Sequence, residues 1–273
     1  MNCVISLVLG LTLALPTGAA LARSSEKSAA QPDAVAPSAA ASNAAIATAI
    51  ASPDRPADDR EQDARRKPAE LLGFLGVGAG MHVLDAFSAS GYYTELLSRT
   101  VGPTGEVIAY NNGAYARFAA KGIETRYAND RLPNVRQVTE EVDKLSLPAS
   151  SLDAALFVMS YHDLYWRPAD GSWPATDPIQ MLTTVRDALK PGGVVVVQDH
   201  VARPGGDAIA TVDALHRIDP ALVRRDFESA GFVFDGDSPM LAHPDDDHTK
   251  LVFDPSIRGK TDQFVYRFRK PAK

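Results

Sequence analysis

Short apolar runs, each closed by polar or turn residues, recur between residues 77 and 269 and alternate with stretches of helical periodicity. The runs at His82–Asp85, Glu106–Tyr110, Val135–Val138, Leu152–Met159, Val194–Gln198 and Phe232–Phe234 read as strands. Helical spacing marks Tyr92–Thr100, Ala114–Lys121, Pro178–Leu189 and Leu222–Ala230. Leu152–Met159 and Val194–Gln198 are nearly continuous in apolar character, as strands covered on both faces are. Strands alternating with helices predict an α/β chain with a doubly wound, mostly parallel sheet and helices on both faces. The last run, Gln263–Arg269, alternates as QFVYRFR and reads as a seventh strand.

The N-terminal part has a different texture. Val4 to Leu15 is apolar, Pro16 and Gly18 break the run, and Ala20-Leu21-Ala22 follows as a small-x-small site. This predicts a signal peptide over residues 1–22 and an exported, periplasmic protein, although Met1-Asn2-Cys3 carries no Lys or Arg. Cys3 is the only cysteine, so cleavage would remove every thiol. Residues 23–56 are rich in Ala, Ser and Pro and read as a disordered linker, with a transient helical tendency at 39–51. The catalytic domain is expected over 57–273, opening with a helix after Pro68.

The candidate chemistry begins at MHVLDAFSASGYYTELL, residues 81–97. A strand ends in Asp85, small residues lead to Gly91, and a helix starts. In an open α/β sheet such a turn lies where nucleotide-like ligands bind, and the helix N-terminus offers free N–H groups. Leu189-Lys190-Pro191-Gly192-Gly193 follows about a hundred residues later, before VVVVQ. Together these motifs resemble class I S-adenosylmethionine-dependent methyltransferases over roughly residues 60–273. GYYTELL, SYHDLYW, LHRID and RGKTDQFV are similar to stretches of a group of exported bacterial methyltransferases without an assigned substrate. The resemblance implies a Rossmann-like sheet with an antiparallel last strand, and S-adenosylmethionine as cofactor. It implies cofactor contacts from Asp85, Ala86, Ser88, Ala89 and Gly91, a ribose contact from Asn111 and an adenine contact from Asp143. The chain departs from the family's Gly-x-Gly-x-Gly turn, since Phe87 and Ala89 occupy the first two glycine positions, and Asn111 replaces the ribose acid. A Cβ at Ala89 either crowds the cofactor or requires a positive φ.

Ser160-Tyr161-His162-Asp163 follows the fourth strand and Asp199-His200 the fifth. If those strands are neighbours, His162, Asp163 and His200 converge as a candidate base and its orienter. His216 and Arg217, with Arg258, Lys260 and Asp262, are candidates to cover the pocket and anchor a polar substrate, and Trp166 and Trp173 to form an aromatic lid. HPDDDH at 243–248 has metal-ligand residue types but reads as a solvated acidic loop, so no metal is expected. The net charge of −6, without a basic stripe, argues for a small-molecule substrate and against nucleic acid. No mature segment reads as stably membrane-inserted, and the sequence leaves the oligomeric state open. A non-catalytic binding protein on the same fold is the alternative. The absence of a Gly-x-Ser-x-Gly elbow argues against a hydrolase.

Overall fold

The computed structural model describes residues 39–272. The segment expected as a signal peptide, with Cys3, and the first part of the expected linker lie outside them. Three helices come first: α1 (Ala39–Ala51), α2 (Ala57–Arg66) and α3 (Pro68–Leu75). Strands and helices then follow as β1 (His82–Ala86), α4 (Tyr92–Val101), β2 (Glu106–Asn111), α5 (Gly113–Phe118), α6 (Ala120–Tyr127), β3 (Val135–Thr139), β4 (Leu152–Val158), α7 (Pro178–Ala188) and β5 (Leu189–His200). The remainder comprises α8 (Ala208–Leu215), α9 (Pro220–Ser229), β6 (Val233–Asp237) and β7 (Gln263–Arg269).

The seven strands form one sheet in the order β3-β2-β1-β4-β5-β7-β6. Pairs from β3 to β5 are parallel, while β7 runs antiparallel to both β5 and β6. This is the mostly parallel seven-stranded sheet expected from the sequence, with β7 at the bounds read from its alternation. Strand order reverses between β1 and β4, so the connections after these strands leave in opposite directions and open a crevice at their carboxyl ends.

Alternate side chains of the central strands enter two cores. Leu84, Ile108, Phe157 and Val197 pack with Leu182 and Phe227 on the α7–α9 face. Val83, Val107, Leu156 and Val196 pack with Leu72 and Leu96 on the α3–α4 face. Burial on both faces explains why these strands read as unbroken apolar runs. Among the described residues, no helix is long and apolar enough to cross a membrane.

Two expectations are corrected. The helix expected over 114–121 is two short helices divided at Ala119. The disordered linker expected over 23–56 does not hold for residues 39–56. Residues 39–51 form α1, which inserts Ile46 and Ala49 into the α3–α4 core. Behind it, the fully buried Arg55 side chain donates two 2.7 Å hydrogen bonds to the Asp63 carboxylate, and Tyr92 donates to Asp63 at 2.6 Å. Burial pushes Asp63 upward, but these hydrogen bonds and the Arg55 charge hold its pKa below the usual carboxylate range. Small residues and few large apolar ones give α1 the composition of a linker, whereas its stability comes from docking.

Truncating Ile46 to Ala separates the two readings. A docked α1 predicts a loss of roughly 2–4 kcal/mol in urea unfolding. A loss below about 0.5 kcal/mol, typical of exposed surface positions, indicates a linker.

Candidate active site

A cavity of about 730 Å³ opens at the carboxyl ends of β1, β4 and β5. Asp85, Ser88 and Ala89 line it from the β1 turn, His162 and Asp163 from the segment after β4, and His200 from the end of β5. The sequence-level candidates from three strands thus meet at one site.

The β1 turn has an unusual backbone. Phe87 (φ 54°), Ala89 (φ 49°) and Gly91 (φ 83°) all occupy the left-handed region. The conformation that glycines permit without penalty is therefore kept with two side chains in place, each at roughly 1–2 kcal/mol. Packing and hydrogen bonds impose it. Phe87 is buried, its ring 5.1 Å from that of Tyr110 and 5.3 Å from that of Tyr115. The Asn111 amide at the end of β2 accepts from the Ala89 N–H at 2.9 Å and donates to Ser88 Oγ at 3.1 Å and the Ala89 carbonyl at 3.3 Å. Gly91 starts α4 and cannot be replaced as readily, because an added Cβ would lie 3.0 Å from Tyr127 Oη. Asp85 is buried and accepts from Thr94 Oγ1 at 2.6 Å. Burial, stronger than the Thr94 hydrogen bonds, pushes its carboxyl up to about 7.

The second cluster joins the ends of β4 and β5. Asp199, with no exposed surface, accepts from the His162 backbone N–H at 2.9 Å and meets His162 Nδ1 at 2.8 Å. His162 Nε2 lies 3.3 Å from Asp163 Oδ1 and 3.3 Å from His216 Nδ1. Tyr115 donates to Asp163 Oδ2, and Trp173 Nε1 donates to the Asp163 carbonyl at 2.9 Å. Burial pushes the His162 imidazole down, but Asp163 and Asp199 override it and raise the pKa to about 9. Burial lowers both His200 and His216 to about 4, with the His162 charge adding to the effect. His200 Nδ1 is paired with Thr261 Oγ1 at 2.8 Å.

Aromatic side chains cover the remaining wall. Trp166 and Trp173 pack at 4.9 Å centroid to centroid, and His216 lies between Trp166 at 4.9 Å and Phe253 at 5.2 Å. Phe118, 83% exposed, stands at the rim. The Arg66 guanidinium sits 4.6 Å over the Tyr92 ring, and both line the cavity.

No family model matches the chain. Similar solved structures include a SAM-dependent methyltransferase from Aquifex aeolicus, at 19% identity and TM-score 0.54, covering 79% of this chain and 98% of that one. A candidate sarcosine dimethylglycine methyltransferase from Galdieria sulphuraria matches at 18% identity and TM-score 0.55, covering 78% of this chain and 88% of that one. The [4+2]-cyclase SpnF matches at 18% identity and TM-score 0.52, covering 80% of this chain and 82% of that one. The fold is that of the class I SAM-dependent methyltransferases.

Set against the methyltransferase pattern, the candidate residues divide. Asp85, Ser88, Ala89, His162, Asp163 and His200 line the cavity. Ala86 is buried in the core, and Gly91 serves the helix start. Asn111 does not line this cavity, and its amide is engaged with the turn. Asp143 is exposed and lies outside the cavity lining. Trp166, Trp173 and His216 line it. Arg217 does not, because it is fully buried against Asp246 at 2.8 and 3.1 Å. Sequence reasoning passed over Tyr115, Arg66 and Tyr92. Tyr115 is an aromatic in an ordinary helix, and Arg66 belongs to a charged segment without a motif. Tyr92 lies within GYYTELL but on the helix after the turn, where aromatic residues read as core.

The strained turn generates a stability test. Ala89→Gly should raise unfolding free energy by about 0.5–1 kcal/mol, the strain released less glycine's extra unfolded-state freedom. Gly91→Ala should lower it by more than about 1 kcal/mol. Chemical denaturation of both variants checks the pair, and destabilisation by Ala89→Gly would contradict the strain assignment.

Proposed function

We propose that the protein transfers a methyl group from S-adenosylmethionine to a small-molecule acceptor held in the cavity. The observation that carries this reading is one cavity with a buried carboxylate at the β1 turn and a histidine cluster across β4 and β5, on a methyltransferase fold. Its volume of about 730 Å³ falls in the ordinary range for small-molecule sites.

The residues present fit the amino-acid end of such a cofactor. Asp85 is a buried carboxylate without a side-chain cation hydrogen-bonded to it, so a ligand ammonium supplies a fitting counter-charge. Ser88 and Ala89 present a narrow, polar turn beside it. The ribose and adenine contacts implied by the family pattern are not reproduced residue for residue, so those ends rely on other groups. When bound, the cofactor supplies an electrophilic methyl on a sulfonium.

This chain's side chains do the rest. The Trp166–Trp173 pair excludes water from the cavity. His162 is already engaged with two carboxylates, whereas His200 has Nδ1 fixed by Thr261 and Nε2 left for the cavity. We therefore assign proton removal from the acceptor to His200, which burial keeps neutral and able to accept. The aromatic wall and the exposed Phe118 and Phe253 suit an acceptor with an apolar or aromatic body and an ionisable hydroxyl or amine.

Both tryptophans of the chain line the cavity, so intrinsic fluorescence reads occupancy. Titration with S-adenosylmethionine or S-adenosylhomocysteine should quench or shift it, and Asp85→Ala should weaken Kd at least about tenfold, or 1.4 kcal/mol. Because ligand ammonium favours ionised Asp85, affinity should rise with pH through about 7, by roughly tenfold between pH 6 and 8. Asp85→Asn should flatten that profile. Turnover with a suitable acceptor should fall roughly 10²–10⁴-fold in His200→Ala at unchanged cofactor affinity. No binding at millimolar cofactor would contradict the proposal.

A further inference from the structure

We propose that His162, Asp163 and His216 form a binding site for a divalent transition-metal cation, best matched by zinc, whose open coordination positions face the cavity. The three candidate ligand atoms are His162 Nε2, His216 Nδ1 and Asp163 Oδ1, separated by 3.3, 3.3 and 3.8 Å. Zinc bonds of ~2.0–2.1 Å at tetrahedral angles place ligand atoms about 3.3 Å apart. A cation of that size therefore fits the triangle with little rearrangement. Two imidazoles and one carboxylate, with the remaining positions open, are the donor set of catalytic rather than structural sites.

The surroundings orient each ligand. Asp199 binds His162 at Nδ1, which orients the ring with Nε2 toward the triangle, where a bound cation would take the place of the Nε2 proton, as in carboxylate–histidine–metal arrangements. Tyr115 occupies Asp163 Oδ2 and leaves Oδ1 for the cation. Trp173 pins the Asp163 backbone. His216 arrives from a different element, 54 residues away in sequence, at the C-terminal end of α8. Its backbone is in the left-handed region at φ 49°, where a non-glycine residue is held against its preference. Trp166 and Phe253 flank its ring and set its plane. All three side chains line the same cavity as Asp85 and His200.

The site stands on these side chains and does not depend on methyl transfer. Its use in catalysis rests on the methyltransferase reading. A cation held by His162, Asp163 and His216 would supply Lewis acidity that lowers the pKa of an acceptor hydroxyl in the cavity, with His200 placed to take the proton. It departs from the sequence-level expectation that no metal is involved.

The full-length protein, stripped with a chelator, should bind one equivalent of Co²⁺ with intense visible d–d absorption, and Zn²⁺ should displace it. His216→Asn, which tolerates the left-handed backbone, and Asp163→Asn should each weaken Zn²⁺ binding at least about 10²-fold. Tyr115→Phe, removing only the outer hydrogen bond, should weaken it about tenfold. His82→Gln, at the opposite end of β1, should leave it unchanged. Melting temperatures with S-adenosylhomocysteine, measured in metal-free protein, report cofactor binding separately, so loss of one reading does not imply loss of the other. Absence of stoichiometric binding, or binding insensitive to His216→Asn and Asp163→Asn, would overturn the site. In that case a proton shared by His162 with its neighbours accounts for the short contacts.

Discussion

The Asp199 carboxylate is the constraint on which the active-site architecture depends. It is buried at the end of β5, and both of its oxygens are used across the strand boundary. Burial alone would push it toward neutrality, but the His162 charge and hydrogen bonds more than compensate and hold its pKa below the usual range. One group thus fixes the backbone after β4, the His162 ring and its tautomer together. Asp163, Tyr115, Trp173 and His216 then assemble around an imidazole whose position is already determined. Removing one partner from such a buried pair leaves an uncompensated charge, typically destabilising by about 3–5 kcal/mol. The same interaction therefore carries fold and chemistry.

The opposite wall of the cavity follows a different logic. The β1 turn keeps a glycine-type path with Phe87 and Ala89, and Asn111 holds it there. A carboxylate at residue 111 could accept from the Ala89 N–H but could not donate to the Ala89 carbonyl, whereas an amide does both. The backbone at Ala89 and the amide at Asn111 are thus coupled. Phe87 gains core contacts in return for backbone strain. Buttressing continues outward, where Glu95 on α4 is fully buried and bound by Arg99, Arg126 and Arg131. Those guanidinium groups overcome the effect of burial and hold Glu95 at about 2.

Much of this was legible in the sequence because parallel strands buried on both faces leave unbroken apolar runs. β7 emerged at its bounds because QFVYRFR alternates, and Asp85, His162, Asp163 and His200 could be placed because residues ending parallel strands share one edge. Three features were not legible, each for a physical reason. Residues 39–51 look like a linker because α1 docks through small side chains and Ile46, and composition carries no record of the docking partner. Asn111 and Asp143 match family positions, yet in this chain one is engaged with the turn and the other is exposed. The contact between His162 and His216 closes across 54 residues through α8 and has no local signature.

A crystal structure of the protein with S-adenosylhomocysteine tests the central claim most directly. The account predicts the ligand's amino-acid end at Asp85 and its sulfur facing His162 and His200, within reach of an acceptor that contacts His200 directly or through one water. A ligand bound elsewhere, or its sulfur turned away from both histidines, would contradict it.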